Sequence, residues 1–268
     1  MTEEDILKRV EIGQKNYEEN MKAIEEILIK ERGYVFDKPL KEDVVVLLSG
    51  GLDSAVMVDM IIKEWDSRVH PLYFRRGARA EPYEESAFDY FVGFYKERYP
   101  DNIVEPKKME YSVPPKDLKR NIPEERLKSV GLPMRNSTMQ NLAVMYAVTL
   151  EDVRTVLTGS VGEDQLTPEA LPELGLLSLR AQTLNTCINM GEWYWQITSP
   201  LVETTLEGRP IYKISLIEYA VENDIPLEKT RSCFSEYEVA DGTCPACERR
   251  LKAFGHLKRE DPLKYKVV

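Results

Sequence analysis

Val44 to Ser54, VVVLLSGGLDS, constrains this chain more than any other stretch. Val44 to Leu48 is a short, continuous, β-branched run, the pattern of a strand covered on both faces. Ser49-Gly50-Gly51 reads as a tight turn, and Leu52 to Trp65 takes up helical spacing. Strand, glycine-rich turn and helix in that order open a βαβ unit. Further strands are expected at Val69–Phe74, Asn102–Glu110, Val153–Ser160 and within Trp193–Glu203. Further helices are expected at Glu84–Arg98, Ser137–Thr149, Ser178–Asn189 and Ile214–Asn223. Strands alternating with helices predict an α/β fold, a doubly wound and mostly parallel sheet. Tyr111–Gly131 reads as a polar, Pro-rich surface crossing, and Glu163–Gly175 as a further loop.

The turn carries chemistry. Glycines at a strand-to-helix junction let backbone N–H groups approach an anion closely, and the helix N-terminus behind them adds a favourable dipole. The hydroxyls of Ser49 and Ser54 can donate to phosphate oxygens. Asp53 is the odd member, because a carboxylate beside phosphate repels it unless Mg²⁺ lies between them. The predicted ligand is therefore a nucleotide polyphosphate with Mg²⁺, held by Ser49, Gly50, Gly51, Leu52, Asp53 and Ser54. Neither the G-x-x-x-x-G-K-[ST] loop nor the G-x-G-x-x-G dinucleotide fingerprint is present.

Charge and cysteine placement narrow the partners. With 36 basic against 46 acidic side chains the net charge is −10, and no long basic run offers a face for a phosphate backbone. A nucleic-acid partner is disfavoured, whereas a small anionic ligand fits. No apolar run approaches the roughly 18 residues of a membrane span. The charged N-terminus lacks a secretory h-region, so the cytoplasm is the expected location. Cys233, Cys244 and Cys247 fall in one short segment while Cys187 stands apart, a placement that favours metal or redox chemistry over disulfide staples. C-x₂-C supplies half of a tetrahedral Zn²⁺ site, with Cys233 a third ligand.

At the other end Ile6, Val10, Tyr17, Met21, Ile24 and Leu28 form one stripe of a long amphipathic helix. Gly13, on that stripe, weakens it by about 1 kcal/mol. The stripe suits packing on the main body or on a second copy in a homodimer. Three segments follow: a helical extension over 1–40, a nucleotide-binding α/β domain over 41–225 and a cysteine-containing segment over 226–268.

SGGLDS resembles the signature of the PP-loop ATP pyrophosphatases, which share an adenine-nucleotide alpha hydrolase-like fold. That resemblance implies cleavage of ATP between its α and β phosphates, adenylation of a carbonyl or carboxyl oxygen, and displacement of AMP by a nitrogen or sulfur nucleophile. The tail narrows the likeness. Thr230-Arg231-Ser232-Cys233, Gly242-Thr243-Cys244-Pro245-Ala246-Cys247, Arg250, Ala253-Phe254, Asp261-Pro262 and Tyr265 resemble the 7-cyano-7-deazaguanine synthase family of queuosine biosynthesis. Pro133-Met134-Arg135-Asn136 resembles its P-x-R-N element and Gly159–Asp164 its G…D loop. Lys213 falls where that family has a lysine after a P-L strand end. The likeness runs from about Val44 to Tyr265.

The resemblance implies adenylation of 7-carboxy-7-deazaguanine, attack by ammonia to give the amide, and a second ATP-driven activation that dehydrates the amide to the nitrile. Ser49, Gly50, Gly51, Asp53 and Ser54 would hold pyrophosphate and Mg²⁺, and Arg135 would neutralise the acyl-adenylate. Lys213 or Arg75 would assist the phosphates, and Gly159 would line the nucleotide. No general base is assigned, since His70 and His256 stand in no recognisable catalytic frame.

Two departures open alternatives. Asp241 stands where the family has the first cysteine of C-G-x-C; Asp241, Cys187 or a water can complete the metal site. The family's Pro-Asp-Cys-Arg stretch has no counterpart in QLTPEALPELGLLSLRAQTLN, residues 165–185. That change, with the N-terminal helix as a recruiting element, suits acyl transfer to another amine such as a protein terminus, as in defence-associated relatives. A tRNA-modifying enzyme is the third reading, and the acidic balance opposes it.

Overall fold

Five short segments pair as a single parallel sheet, β1 Asp43–Leu47, β2 Arg68–Arg75, β3 Lys107–Glu110, β4 Thr155–Leu157 and β5 Gln196–Thr198. The spatial order is β3-β2-β1-β4-β5, with Val45 of β1 opposite His70 on one side and Val156 on the other. The computed structural model describes residues 16–112, 115–122, 132–165, 172–203 and 206–266. Ile6, Val10 and Gly13 of the expected stripe lie outside these residues, as do parts of the two expected loops.

Val44, Val45 and Val46 are all buried because both sheet faces are covered. On one face Val44, Val46, Val69 and Tyr73 pack against α2 (Leu52–Trp65), α3 (Glu81–Arg98) and α6 (Lys213–Glu222), joined by Phe254 of α7 (Pro245–His256). On the other, Val45, Leu72 and Phe74 pack against α4 (Arg135–Val148) and α5 (Leu176–Met190). The α/β, doubly wound, parallel reading is therefore borne out. No described helix is long and apolar enough to cross a membrane.

The differences from the sequence reading are local. Helix α3 starts at Glu81, three residues before the expected Glu84, because Pro82 suits a first helical turn and Glu81 accepts backbone N–H bonds from Arg76 and Gly77. The third strand is shortened to Lys107–Glu110, since Pro106 offers no N–H, and only a single bridge pairs Ile103 with Val69. The cysteine segment is not all loop: Cys244 is the N-cap of α7 and Pro245 its first residue.

Helix α1 (Tyr17–Arg32) has its buried Leu28 and half-buried Tyr17, Met21 and Ile24 on one side, and it packs on α5. The described half of the stripe thus faces the body of its own chain. Cys187 is buried in the α4–α5 core, its thiol 3.5 Å from the Trp195 carbonyl. It is remote from the other cysteines, which removes it as a candidate fourth ligand.

Candidate active site

The order β3-β2-β1-β4-β5 places a topological switch point between β1 and β4, and in such sheets ligands bind beyond the carboxyl ends of the strands at that crevice. The Ser49–Ser54 turn leaves β1 at this point. Gly50 has φ +72°, and a Cβ there would stand 2.7 Å from Ala87 Cβ and from the Phe88 nitrogen. Only glycine takes this conformation in this space. Ser54 is buried; its hydroxyl lies 3.1 Å from that of Ser49 and accepts the Ser49 N–H at 3.2 Å. Leu52 is buried in the core, so it contributes backbone alone. Gly159, just past β4, packs its α-carbon against Ser54, where a Cβ would meet Ser54 backbone at 3.1 Å. The three glycines bare the backbone that an anion requires.

Asp53 and Lys213 are brought together as an ion pair across the crevice. Glu163 accepts the Lys213 backbone N–H at 2.8 Å and so fixes the start of α6. Next to Glu163, Asp164 is buried and accepts the Val161 N–H at 3.0 Å. Burial pushes its carboxyl up to about 6 and the Asp53 charge adds to this, while the Val161 bond, Lys213 and Arg249 pull the other way. A carboxyl so poised beside the Ser49–Ser54 turn makes this crevice a candidate functional site. The sequence reading noticed the G…D loop and gave Asp164 no role.

Arg75 is placed apart from these groups. It closes a bidentate pair with Glu85 of α3, at 2.9 and 2.6 Å. Arg135, first residue of α4, lies on the other face of the sheet. Its Nε and the Tyr111 hydroxyl are buried and make no hydrogen bond among the described residues. The charges of Arg76, Arg135 and Glu173 all bear on Tyr111. Glu173 accepts N–H bonds from the Asn136 backbone and side chain at 3.2 and 3.1 Å, tying the stretch before α5 to the start of α4. Tyr111 carries no motif and escaped the sequence reading.

Cys233, Asp241, Cys244 and Cys247 offer ligand atoms that all lie within 4.8 Å of one another. Burial works against the Cys233 thiolate, but the Ser235 hydroxyl and the Asp241 and Ser235 N–H groups outweigh it and lower its pKa. Cys247 is driven upward by burial and by its thiol neighbours. N–H bonds from Cys244 and Thr243 hold the Asp241 carboxylate below its ordinary range. Three thiols and a carboxylate this close cannot all ionise unless a cation offsets them. Such a set of donors could hold a metal ion.

This segment is joined to the Ser49–Ser54 turn: the Arg231 N–H donates to the Gly50 carbonyl at 2.8 Å. The Arg231 guanidinium bonds the carbonyls of Cys233, Ser235, Tyr237 and Glu238 and stacks over Tyr83 at 4.8 Å. Arg250, 1% exposed, bonds Asp261 at 2.7 and 2.9 Å, with Thr230 Oγ1 at 2.6 Å and the Leu227 carbonyl at 3.0 Å. Asp261 also takes the Tyr265 hydroxyl at 2.5 Å, so the tail is locked onto the strap that carries Arg231.

Comparison with known proteins identifies the family. Residues 43–258 match the family model described as queuosine biosynthesis protein QueC. The chain is 26% identical to a 7-cyano-7-deazaguanine synthase of Pseudoalteromonas atlantica, over 84% of this chain and 99% of that one. It is 30% identical to the protein of the same name from Thermoplasma acidophilum, over 84% of this chain and 92% of the relative. A third, from Chloroherpeton thalassium, is 28% identical over 83% and 96%.

Proposed function

This chain belongs to the QueC family of queuosine biosynthesis, and from that membership we propose that it makes 7-cyano-7-deazaguanine from 7-carboxy-7-deazaguanine, ammonia and ATP. The observation that carries the reading is the convergence of the Ser49–Ser54 turn, Gly159 and the Asp53–Lys213 pair on one crevice. A carboxylate is a poor electrophile with a poor leaving group, and adenylation supplies a good one. The backbone N–H groups of the turn and the hydroxyls of Ser49 and Ser54 hold the β and γ phosphates. When Mg²⁺ is bound, Asp53 and Asp164 are the carboxylates within reach of it, and it offsets the charge that builds on the departing pyrophosphate. Lys213, already paired with Asp53, adds a cation at the same place.

The acid lies on the α4 side, where Arg135 Nε and the Tyr111 hydroxyl are buried donors with no acceptor among the described residues. Its carboxylate oxygen attacks the α phosphate and pyrophosphate leaves. Ammonia displaces AMP to give the amide. The amide oxygen is then adenylated by a second ATP, and loss of AMP and protons leaves the nitrile. Purified chain, Mg²⁺-ATP, the acid and an ammonium salt are expected to release two AMP and two pyrophosphate per nitrile, followed by ³¹P NMR and mass spectrometry. Product stalled at the adenylate with ammonia in excess would refute ammonia as the nucleophile.

Zinc is the metal that Cys233, Asp241, Cys244 and Cys247 suit, in a structural site closed by four ligands. One zinc per chain is expected by elemental analysis. Cys247→Ala is expected to lose it and, through Arg231 and Gly50, to weaken ATP binding by about tenfold. A metal-free wild type with full activity would sink this assignment.

A further inference from the structure

Helix α1 lies wholly outside the residues that match the family model, yet Tyr17 and Glu25 on it reach Gln165 and the first turns of α5, beside the site. Helix α5 begins at Gly175, which has no side chain to satisfy the free N–H groups of the first turn. Those groups are met from elsewhere. Gln165, next after Asp164, accepts the Leu176 N–H at 2.9 Å through Oε1. The Tyr17 hydroxyl accepts the Leu177 N–H at 3.1 Å and lies 3.5 Å from the same Gln165 oxygen. One turn further along, Glu25 of α1 bonds Arg180 Nε at 3.1 Å, and Arg180 is held by buried Glu203 just past β5. At its other end α1 is anchored by Arg32, which donates to the Trp195 carbonyl at 2.7 Å.

We propose that α1 is a positioning element for the acid-binding side of the site, and that Tyr17 is its principal positioning residue. The inference rests on the functional reading above. Tyr17 and Gln165 together hold the first turn of α5 beside Asp164. Glu173, just before α5, fixes Asn136 and with it the neighbouring Arg135. From Tyr17 the route runs through the Leu177 N–H, back along the chain to Glu173, and through the Glu173–Asn136 bonds to the residue beside Arg135, and none of these bonds reaches the Ser49–Ser54 turn. Tyr17 therefore bears on the acid more than on ATP.

Tyr17→Phe in the full chain keeps the ring packing and removes the single hydroxyl. Amide hydrogen exchange over 172–178 is expected to accelerate about tenfold. The KM for 7-carboxy-7-deazaguanine is expected to rise about fivefold, with the KM for ATP and kcat changed by less than about twofold. Faster exchange with an unchanged KM for the acid would overturn the proposal, because α1 would then brace the fold only. Unchanged exchange would overturn it whatever the kinetics. A wild-type chain that fails to turn over the acid counts instead against the functional reading, and the exchange result alone then decides whether α1 holds this stretch.

Discussion

Replacing Gly50 by alanine is expected to lower ATP-dependent turnover at least about 100-fold while leaving a folded, less stable chain. The new methyl would sit 2.7 Å from Ala87 Cβ and the Phe88 nitrogen and 2.8 Å from the Glu84 carbonyl. Two of those atoms are α3 backbone, which yields only if the helix moves. A left-handed φ adds roughly 1–2 kcal/mol for any residue with a Cβ. Together these cost on the order of 3 kcal/mol, a fall in melting temperature of about 10 °C for a chain this size. The loop has to shift to relieve the clash, and a shift of about 1 Å misplaces every phosphate donor. Gly93→Ala, on an exposed position of α3 with nothing within 4 Å, is the matched control and is expected to stabilise by roughly 0.5–1 kcal/mol. Equal turnover in the two variants, by AMP release, would refute the loop assignment.

Asp261→Ala is expected to be the most damaging change outside the nucleotide site. It strips a 1%-exposed guanidinium of its bidentate partner, and an uncompensated buried charge costs about 3–5 kcal/mol. It also frees the Tyr265 hydroxyl and the Leu263 N–H, both held by the same carboxylate. The Ala240–Tyr265 bridge and the Lys266 N–H bond to Ala240 should loosen with them, beside Asp241 of the metal cluster. Thermal unfolding should therefore shift down by about 10 °C or more. The double variant Arg250→Met with Asp261→Leu should recover much of that loss, since apolar groups of similar volume replace a buried pair at little cost. A double variant no better than Asp261→Ala would mean that Asp261 acts through the tail and not through Arg250.

These two sites differ in how openly the sequence displays them. β1, the turn and α2 were legible because the determinants are local: a β-branched run, two glycines and an amphipathic period sit side by side, and Leu52–Trp65 forms the expected helix. The cysteine spacing was legible for the same reason, and Asp241 takes its expected place among the thiols. Helix α7 was not, because Pro245-Ala246-Cys247-Glu248-Arg249-Arg250 has the composition of a polar loop. Its burial of Arg250 depends on Asp261 and Thr230 arriving from either side. Tyr111 and Asp164 gain their significance from neighbours 20 to 110 residues away, which no local pattern carries. Arg75, expected to assist the phosphates, instead pairs with Glu85 of the following helix.

The hydrogen bond from Arg231 to Gly50 also sets a timetable for biosynthesis. The nucleotide loop emerges from the ribosome early, but the amide that fastens it arrives roughly 180 residues later, on the order of 10–35 s at ordinary rates of translation. Until Thr155–Leu157 is made, β1 lacks its β4 neighbour as well, so the half-made chain exposes an unpaired strand edge. A nascent chain arrested before Arg231 should accordingly gain no protease protection from ATP, whereas one released after Tyr265 should. On the proposed function, the nucleotide acts as a folding ligand only once Arg231 and the tail that holds it have been made.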